Sequence, residues 1–476
     1  MEKILHIIKR LIPIKLFNRL APAYHFLFAF LAAVIYGRPS EKLIVIGVTG
    51  TTGKTTSTYL IAKMLSGCGF KVGYTSTAMF SDGRIEWLND KKMSMPGRLF
   101  TQVTLARMVR NGCQYAIVET TSEGIRQFRH RFINYDSLIF TGLYPEHIES
   151  HGNFENYRQA KGKLFAHLKN CKTKYVNEQK RVVKTEHTFK KLELARVKKT
   201  IIADLDDEHA GFFLDFWAEE KFAYTRKNKA GGKEINLVNY GDVLVEASGT
   251  KFKILETEIN LKLTGDFNAT NAMNAVCLGL AQGLPLEKIK IALEGIAGVP
   301  GRLEKIDIST SQNTGGGQNF TVIVDYAFEP KAIEKLYETV ELIPHERIIH
   351  LLGSAGGGRD ASRRPILGRI AGERADYVIV TNEDPYDENP EIIIDQVLIG
   401  AEKAGKTIND DLWRFSDRRE AIKKALEIAR AGDLVLITGK GSEQAICLAN
   451  GEKLPWDDRQ VVKEELTRLL ADGVDK

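Results

Sequence analysis

The chain has 476 residues, 43% of them hydrophobic and 27% charged, with 41 glycines against 13 prolines. At about 150 residues per domain this length predicts about three domains, and the ordinary globular composition excludes fibrous, low-complexity and disordered proteins. The net charge of +6 lies mostly in residues 1–42, where seven basic and two acidic side chains give +5. We therefore expect no nucleic-acid partner, because the excess positive charge is confined to one short segment.

An apolar segment, LAPAYHFLFAFLAAVIY, occupies residues 20–36 and follows the basic N-terminal residues. Its length falls between the ~15 residues of a signal h-region and the ~20 of a spanning helix. No small-residue cleavage site is clear, so a secretory signal is disfavoured. Two interpretations stay open: a helix packed on the domain, or a membrane-surface or short spanning anchor whose basic flank contacts anionic lipid.

The five cysteines lie far apart and contain no Cys-x-x-Cys pair. This pattern favours reduced thiols in a cytoplasmic protein and disfavours a structural zinc site. The expected location is therefore cytoplasmic. Whether residues 1–40 also associate with a membrane stays open at this point.

From residue 43 onward, strand and helix patterns alternate. The segments LIVIGVTG, KVGYTST, YAIVET and DSLIFTGL are predicted strands, and TSTYLIAKMLSGCG is a predicted helix that ends at glycine. Short strands with turn signals follow over about residues 225–262, then a helix over residues 268–283 and the linker GVPGRLE. Four further predicted strands are FTVIVDY, RIIHLLGS, ADYVIVTNE and DLVLITGKG.

This alternation predicts an α/β fold in which helices cover both faces of a mostly parallel sheet. We expect a basic, apolar helical segment over residues 1–42 and a central domain over residues 43–298. A second α/β domain, Rossmann-like, is expected over residues 299–476.

The segment VIGVTGTTGKTT carries the strongest chemical signal, because a buried strand runs into a glycine-rich turn and then a helix. Glycines let backbone N–H groups approach phosphate oxygens, and the helix N-terminus adds positive potential. Lys54 would reach the β and γ phosphates and Thr55 would bind Mg²⁺, although Val48 stands where a strict motif has its first glycine. The central domain is therefore predicted to be a P-loop domain. Its expected nucleotide-binding residues are Gly50, Thr51, Thr52, Gly53, Lys54, Thr55 and Thr56.

Glu119 ends a strand that is predicted to run parallel to the nucleotide strand, so its carboxylate would lie at the same sheet edge. It is either a metal or catalytic carboxylate or a solvated side chain. His147 follows the next strand in a loop-like stretch, and Lys161 lies on the helix after it. Taken alone, this spacing only suggests a metal site.

Together these segments resemble the Mur ligases, ATP-dependent amide ligases that add amino acids to the peptidoglycan precursor, and within them the MurE type. The matching segments run in family order over about residues 43–460: TGTTGKTT, MSMPGRLFTQ, VETTSEG, FTGLYPEHIESHGNFENYRQAK, LTGDFNATNAMNA, GVPGRLE, VDYAFEP, GSAGGGRDASRRP, TNEDPYDENP and GKGSEQ. The resemblance implies that a substrate carboxylate attacks the ATP γ-phosphate and that an amine then displaces the acyl phosphate.

The resemblance also implies residue roles, with ATP and Mg²⁺ as cofactors. The implied catalytic residues are Lys54, Glu119, His147, Lys161, Arg302 and Asp325. The implied metal ligands are Thr55, Glu119, Glu123, His147 and Lys161, the last as a carbamate. Asn268, Asn271 and Arg302 are expected at the nucleotide beside the glycine-rich turn.

Several positions depart from the MurE pattern. Glu123, Phe328 and Ser442 stand where the pattern usually has histidine, and Gly142 replaces an asparagine. The family also has an N-terminal domain that grips the UDP-sugar, which 42 residues are too few to build.

The implied amino-acid pocket contains Arg359, Glu383, Asp384, Tyr386 and Glu443. Diaminopimelate-reading members carry an arginine where this chain has Tyr386, whose hydroxyl offers no positive charge to a second carboxylate. Glu443 could still hold an amino group, so lysine or another diamine is as plausible a donor as diaminopimelate.

The expected function is an ATP-dependent amide ligase that adds an amino acid to a UDP-N-acetylmuramoyl-peptide acceptor. One alternative is a truncated relative acting on another carboxylate, such as a lipid-linked precursor or a poly-glutamate, folate or cyanophycin acceptor. Another is a nucleotide-binding protein that has lost ligase activity, favoured by the departures from the pattern.

Overall fold

The computed structural model describes residues 14–144, 152–183, 194–227, 234–306 and 320–474, with side chains from residue 20 to residue 469. The strands up to residue 261 are β1 (Ile44–Thr49), β2 (Val72–Thr75), β3 (Met79–Ser81), β4 (Glu86–Leu88), β5 (Tyr115–Glu119), β6 (Ser137–Phe140), β7 (Lys174–Val176), β8 (Ala195–Val197), β9 (Thr200–Asp204), β10 (Glu220–Thr225), β11 (Asn236–Asn239), β12 (Gly241–Glu246), β13 (Gly249–Ile254) and β14 (Thr257–Leu261). The helices up to residue 294 are α1 (Ile14–Ile35), α2 (Lys54–Gly67), α3 (Arg98–Arg110), α4 (Ser122–Arg126), α5 (Phe154–Leu168), α6 (Ala210–Leu214), α7 (Asp266–Ala281) and α8 (Leu286–Glu294).

The first sheet has nine strands in the described ranges, in the spatial order β11-β10-β9-β6-β1-β5-β2-β3-β4. All neighbours pair in parallel except β3 and β4, which are antiparallel at one edge. Strand β1 is buried at every position, as expected of an apolar, β-branched strand with helices on both faces. The four strands predicted between residues 43 and 143 are confirmed. Strands β12, β13 and β14 form a small antiparallel sheet, in the region where short strands were expected.

Strand β1 lies between β5 and β6: the chain passes from β1 to β2 on one side, and the connection from β5 to β6 then crosses to the other side of β1. Parallel pairing places Val48 opposite Glu119 and Thr49 opposite Phe140. The carboxyl ends of all three strands therefore meet at one edge, at the point where the strand order reverses. In open parallel sheets this is the edge where ligands bind.

A buried ion cluster lies in the central part of the first sheet. The Asp136 carboxylate, which is fully buried, accepts a hydrogen bond from the Val45 backbone N–H at 2.8 Å. It also pairs with the buried ammonium groups of Lys174 at 2.5 Å and Lys199 at 2.8 Å. Burial lowers the pKa of Lys174 to about 8, although Asp136 opposes this shift. The cluster joins β1 to the start of β7 and to the residues directly before β6 and β9.

Helix α1 packs against α3 through a face of small side chains. Ala29, Ala32 and Ala33 are buried, and the Phe26 and Phe30 rings contact the Phe132 ring at centroid distances of 5.1 and 5.4 Å. The helix thus packs on the domain, as one of the two interpretations expected. Among the residues described, no helix combines the length and the apolarity needed to cross a membrane.

A second parallel sheet lies after residue 303. Its part of the chain contains strands β15 (Glu304–Lys305), β16 (Thr321–Val324), β17 (Ile348–Leu352), β18 (Tyr377–Thr381), β19 (Leu412–Phe415), β20 (Leu434–Ile437), β21 (Ala445–Cys447) and β22 (Lys453–Pro455), and helices α9 (Pro330–Val340), α10 (Arg363–Arg374), α11 (Pro390–Lys403), α12 (Arg418–Ile428) and α13 (Asp458–Val474). The spatial order β15-β16-β20-β17-β18-β19 is parallel from β16 onward. The predicted α/β fold with two mostly parallel sheets is confirmed, whereas β19 was not expected from the sequence. The domain boundaries near residues 42 and 299 stay predictions.

Candidate active site

The turn between β1 and α2 has the geometry that a phosphate-binding loop needs. Gly53 lies in the left-handed region with φ of 76°, and a Cβ there would approach Asn271 Oδ1 to 2.5 Å. A Cβ on Gly50 would stand 2.1 Å from Thr141 Oγ1. Both positions therefore require glycine, because any larger side chain collides with a neighbouring element.

The residues that follow strand β6 form hydrogen bonds with this turn. The Thr51 N–H donates to the Gly142 carbonyl at 2.8 Å, and the Thr141 hydroxyl donates to the Thr52 carbonyl at 2.6 Å. Gly142 has φ of 116°, so the glycine that replaces the family's asparagine adopts a backbone that other residues rarely take. The turn is thus fixed by one backbone carbonyl and one side chain about 90 residues away in sequence.

Two lysine side chains donate hydrogen bonds to backbone carbonyls of the turn. The Lys54 ammonium donates to the Thr51 carbonyl at 2.5 Å, within its own loop. Lys161, on α5 and 1% exposed, donates to the Gly50 carbonyl at 2.7 Å and lies 4.5 Å from the centre of the Tyr157 ring. Lys161 therefore contacts the phosphate-loop backbone directly, and its carbamylation stays a prediction.

Thr55 and Glu119 come together as expected. The Thr55 hydroxyl donates to Glu119 Oε2 at 3.0 Å, and the Glu119 side chain is fully buried. Thr77, just beyond the end of β2, donates its N–H to Oε2 at 2.7 Å and its hydroxyl to Oε1 at 2.8 Å. The Thr77 hydroxyl lies 2.6 Å from the Ser94 hydroxyl. A hydroxyl and a fixed carboxylate at the start of a phosphate-loop helix are oxygen ligands of the kind Mg²⁺ prefers.

The three asparagines of α7 form a hydrogen-bonded network behind the turn. The Asn271 amide donates to Asn268 Oδ1 at 3.3 Å, and the Ser57 hydroxyl donates to Asn271 Oδ1 at 3.3 Å. The Asn274 amide in turn donates to Ser57 Oγ at 3.1 Å. This network joins α7 to α2, so the predicted nucleotide residues Asn268 and Asn271 do lie beside the glycine-rich turn. Thr56, also on α2, is buried.

Arg302 reaches the same site from the linker. Its guanidinium lies 3.5 Å from Thr55 Oγ1 and 4.3 Å from the centre of the Tyr326 ring. Asp325 accepts the Leu303 N–H at 2.7 Å and the Ala327 N–H at 2.6 Å. Burial raises the pKa of Asp325, and the nearby Arg302 charge opposes that shift. Asp325 thus positions the linker backbone next to Arg302.

A second charged cluster brings Asp384 and Glu443 together. The Lys440 ammonium, fully buried, contacts Asp384 Oδ1 at 2.8 Å and Glu443 Oε2 at 2.9 Å. The Tyr326 hydroxyl donates to Glu443 Oε1 at 3.3 Å. Lys92, from the connection between β4 and α3, pairs with both carboxylates. Two of the five residues expected in the amino-acid pocket therefore form one site.

The other three pocket residues surround this cluster. Glu383 is buried, and burial, followed by the Asp384 charge, raises the pKa of its carboxyl. Tyr386 has φ of 52° and packs its ring over Gly357, while burial raises its pKa. The exposed Arg359 is close enough for its charge to lower the pKa of Tyr386 against that effect.

Two of the expected metal ligands are not seen at the Thr55–Glu119 pair. Glu123 is exposed on α4, where its carboxylate lies 3.6 Å from Arg126 and accepts a 2.7 Å hydrogen bond from Gln127. His147 lies outside the described residues. Within those residues, no group of three or more His, Cys, Asp and Glu side chains is arranged to hold a metal ion. Among the described residues, the candidate metal ligands at this position are therefore the Thr55 hydroxyl and the Glu119 carboxylate.

Sequence reasoning missed four residues of these sites. Thr77 and Thr141 follow β2 and β6 at the carboxyl edge, and their position after parallel strands was the available signal. Lys440 lies in the matched segment GKGSEQ, although no role was assigned to it. Lys92 had no sequence signal, because its partners are 292 and 351 residues away.

Two family models match the chain: the Mur ligase middle domain over residues 48–279 and the Mur ligase, glutamate ligase domain over residues 301–441. A UDP-N-acetylmuramyl-tripeptide synthetase of Roseiflexus sp. (strain RS-1) is 36% identical over 447 residues, which cover 92% of this chain and 81% of the relative. A UDP-N-acetylmuramoyl-L-alanyl-D-glutamate--2,6-diaminopimelate ligase of Syntrophomonas wolfei is 34% identical with the same coverage.

Solved structures show the same architecture. A UDP-N-acetylmuramoyl-L-alanyl-D-glutamate--2,6-diaminopimelate ligase has a TM-score of 0.55 at 25% identity and covers 90% of this chain and 79% of its own. Escherichia coli FolC in complex with ADP has a TM-score of 0.59 at 18% identity over 94% of both chains, which shows a shared fold alone. Because the family models span most of the chain and the relatives exceed 30% identity over nine-tenths of it, the chain belongs to the Mur ligase family.

Proposed function

We propose that this chain is an ATP-dependent, ADP-forming ligase that joins an amino acid to the peptide carboxylate of a UDP-N-acetylmuramoyl-peptide. The relatives named above include both a tripeptide synthetase and a diaminopimelate ligase. One observation carries the proposal: the glycine-rich turn, the buried Thr55–Glu119 pair and the Arg302 guanidinium all meet at one edge of the sheet. That edge supplies the positive charge that phosphoryl transfer between two anions requires.

Each residue at this edge has a physical role in the proposal. Lys54 and the backbone of the turn would bind the triphosphate, and Arg302 would add charge from the linker side. Thr55 and Glu119 fit an Mg²⁺ ion, because both present oxygen atoms and Glu119 is held in place by Thr77. When bound, Mg²⁺ would neutralise charge on the transferring phosphoryl group.

The Asp384–Glu443 cluster would bind the distal ammonium group of the incoming amino acid. Two carboxylates with a hydrogen-bonding tyrosine are suited to a primary ammonium, which has three donors. Tyr386 offers no charge for a second carboxylate, which favours lysine or another diamine as much as diaminopimelate. The amino acid is therefore proposed only as one with an additional amino group.

The function is tested by product mass. The full chain is incubated with ATP, Mg²⁺, UDP-N-acetylmuramoyl-dipeptide and separate amino acids, and ADP release is followed. We expect a product that contains one added amino acid, and Lys54→Ala should abolish it because the triphosphate loses its clamp. A product formed equally by Lys54→Ala, or one formed only on a folate or poly-glutamate acceptor, contradicts the proposal.

We also propose that α1 lies on an anionic membrane surface. Leu20, Leu27, Leu31 and Ile35 are 53%, 53%, 41% and 68% exposed and fall on one helical face opposite the buried alanines. The helix carries no acidic residue from residue 20 to residue 36, and residues 1–42 have a net charge of +5. An apolar face with a basic flank has the chemistry of an interfacial helix.

Co-sedimentation with vesicles tests this contact. The protein should pellet with vesicles that contain phosphatidylglycerol and stay in the supernatant with phosphatidylcholine vesicles. The pair Leu27→Ser and Leu31→Ser should reduce pelleting, whereas Leu255→Ser, at a residue that is 84% exposed elsewhere on the surface, should not. Equal pelleting of all variants, or none by the wild type, refutes the membrane contact.

A further inference from the structure

Lys92 occupies an unusual position in the molecule. It lies on the connection between β4 and α3, part of the first α/β unit, and its φ of 56° is in the left-handed region that favours glycine. Non-glycine residues hold this conformation when surrounding contacts compensate for the strain. The Lys92 side chain is only 5% exposed, although lysine is rarely buried without a partner.

The partners of Lys92 are the two carboxylates of the proposed amino-acid site. Its ammonium contacts Asp384 Oδ2 at 2.8 Å and also pairs with Glu443 Oε2. Burial opposes the charged form, but the Glu443 and Asp384 charges outweigh it and raise the pKa of Lys92. Lys92 is therefore a primary ammonium already bound where the ammonium of the substrate is proposed to bind.

Two lysine ammonium groups pair with the two carboxylates of the cluster. Asp384 and Glu443 supply two negative charges, and Lys440 and Lys92 supply two positive charges. Lys440 is fully buried and also donates to the Ala445 carbonyl at 2.7 Å, within its own part of the fold. Lys92 comes from the connection between β4 and α3 and is not part of the second sheet.

We propose that Lys92 competes with the distal ammonium of the amino-acid substrate for the Asp384–Glu443 pair. A donor that brings its own distal ammonium replaces Lys92 and keeps the cluster neutral. A donor without that group leaves one buried carboxylate charge uncompensated if Lys92 departs, which is costly in a buried site. Lys92 therefore lowers the affinity for donors that carry a second cation, whereas a donor without one leaves Lys92 in place.

This inference rests on the proposed function, and the experiment separates the two. Purified full-length wild type, Lys92→Met and Lys92→Gln are compared, with Lys91→Met as the matched control. Lys91 is adjacent but 42% exposed, with Asp90 as its partner at 2.5 Å. The probes are L-lysine and L-norleucine, which has the same carbon chain without the distal ammonium. Binding is measured by calorimetry and ligation by product mass.

We expect Lys92→Met and Lys92→Gln to bind L-lysine about tenfold more tightly than the wild type, with a matching fall in its KM. The KM for ATP, the response to norleucine and all constants of Lys91→Met should not change. If both Lys92 variants bind L-lysine as the wild type does, or more weakly, Lys92 is an ordinary bridge and the inference is wrong. A gain that is equal for norleucine also overturns it. Absence of ligation by the wild type refutes the proposed function instead, and the calorimetry still decides the competition.

Discussion

Glu119→Gln is the substitution that best separates chemistry from folding in the nucleotide site. The carboxylate is fully buried and accepts three hydrogen bonds, one from Thr55 and two from Thr77. Glutamine has the same shape but no charge. The effect therefore reports the charge of Glu119, provided that the amide can replace the hydrogen bonds of the carboxylate.

The local geometry permits that replacement. The amide oxygen can stand at the Oε2 position and accept from the Thr55 hydroxyl and the Thr77 N–H. The amide N–H₂ at the Oε1 position can donate to the Thr77 hydroxyl, whose own hydrogen then points to Ser94 Oγ. Only the charge assistance is lost. A hydrogen bond to a charged group contributes about 1.5–3 kcal/mol to stability and a hydrogen bond between neutral groups about 0.5–1.5 kcal/mol. We expect the free energy of unfolding to fall by about 1–2 kcal/mol.

The effect on ligation should be much larger. The Mg²⁺ ion would lose its one fixed negative ligand among the described residues at this position. Even the substitution of residues that only support metal ligands lowers metal affinity or activity by 10- to about 100-fold. We expect acceptor-dependent ADP release to fall by about a hundredfold or more at a fixed Mg²⁺ concentration. Raising that concentration should recover part of the rate, because metal affinity is what the substitution weakens.

The assay is ADP release in the presence of acceptor and amino acid, with urea unfolding of the same preparations. Glu86→Gln is the control, because Glu86 forms an exposed pair with Lys63 at 2.7 Å and such pairs contribute less than about 1 kcal/mol. Its ligation rate should equal that of the wild type. A Glu119→Gln enzyme that keeps its rate within about threefold would refute the role of this carboxylate in metal binding. An unfolded variant would refute the hydrogen-bond reasoning.

Two further predictions concern stability. Asp136→Asn leaves two buried lysine ammonium groups without a counter-charge, so the free energy of unfolding in urea should fall by about 3–5 kcal/mol. The control Asp90→Asn, at an exposed position, should change it by less than about 1 kcal/mol. Similar effects of the two substitutions would contradict a buried ion cluster. Burial lowers the pKa of His130 to about 3 and that of His167 to about 4, from ~6.5 when unfolded. Below about pH 6.5 the unfolded chain therefore binds more protons than the folded chain. The free energy of unfolding should decrease as the pH falls toward 4, by up to about 1.4 kcal/mol per pH unit for each histidine. Urea titrations at pH 7, 6 and 5 should show a shallower decrease for His130→Asn than for the wild type, and the same pH dependence in both would show that His130 is not a cause.

The sequence by itself determined the features that depend on neighbouring residues. A β-branched strand, a glycine-rich turn and a helix that starts at Lys54 are contiguous, so local pattern was enough to predict the phosphate loop. Alternating strand and helix signals were enough for the α/β class and for two parallel sheets. The roles of Arg302 and Asp325 came from resemblance alone, and the structure brings only Arg302 to Thr55, while Asp325 holds the adjacent backbone.

Only the tertiary structure decided which distant groups meet. Strand order places Thr77 against Glu119 and brings Lys161 onto the Gly50 carbonyl, 111 residues away. It also puts the Lys92 ammonium between Asp384 and Glu443, a pairing with no trace in local sequence. The physical reason is that periodicity fixes the direction of a side chain within its own element. Which partner that side chain finds depends on sheet register and on how the two α/β units pack.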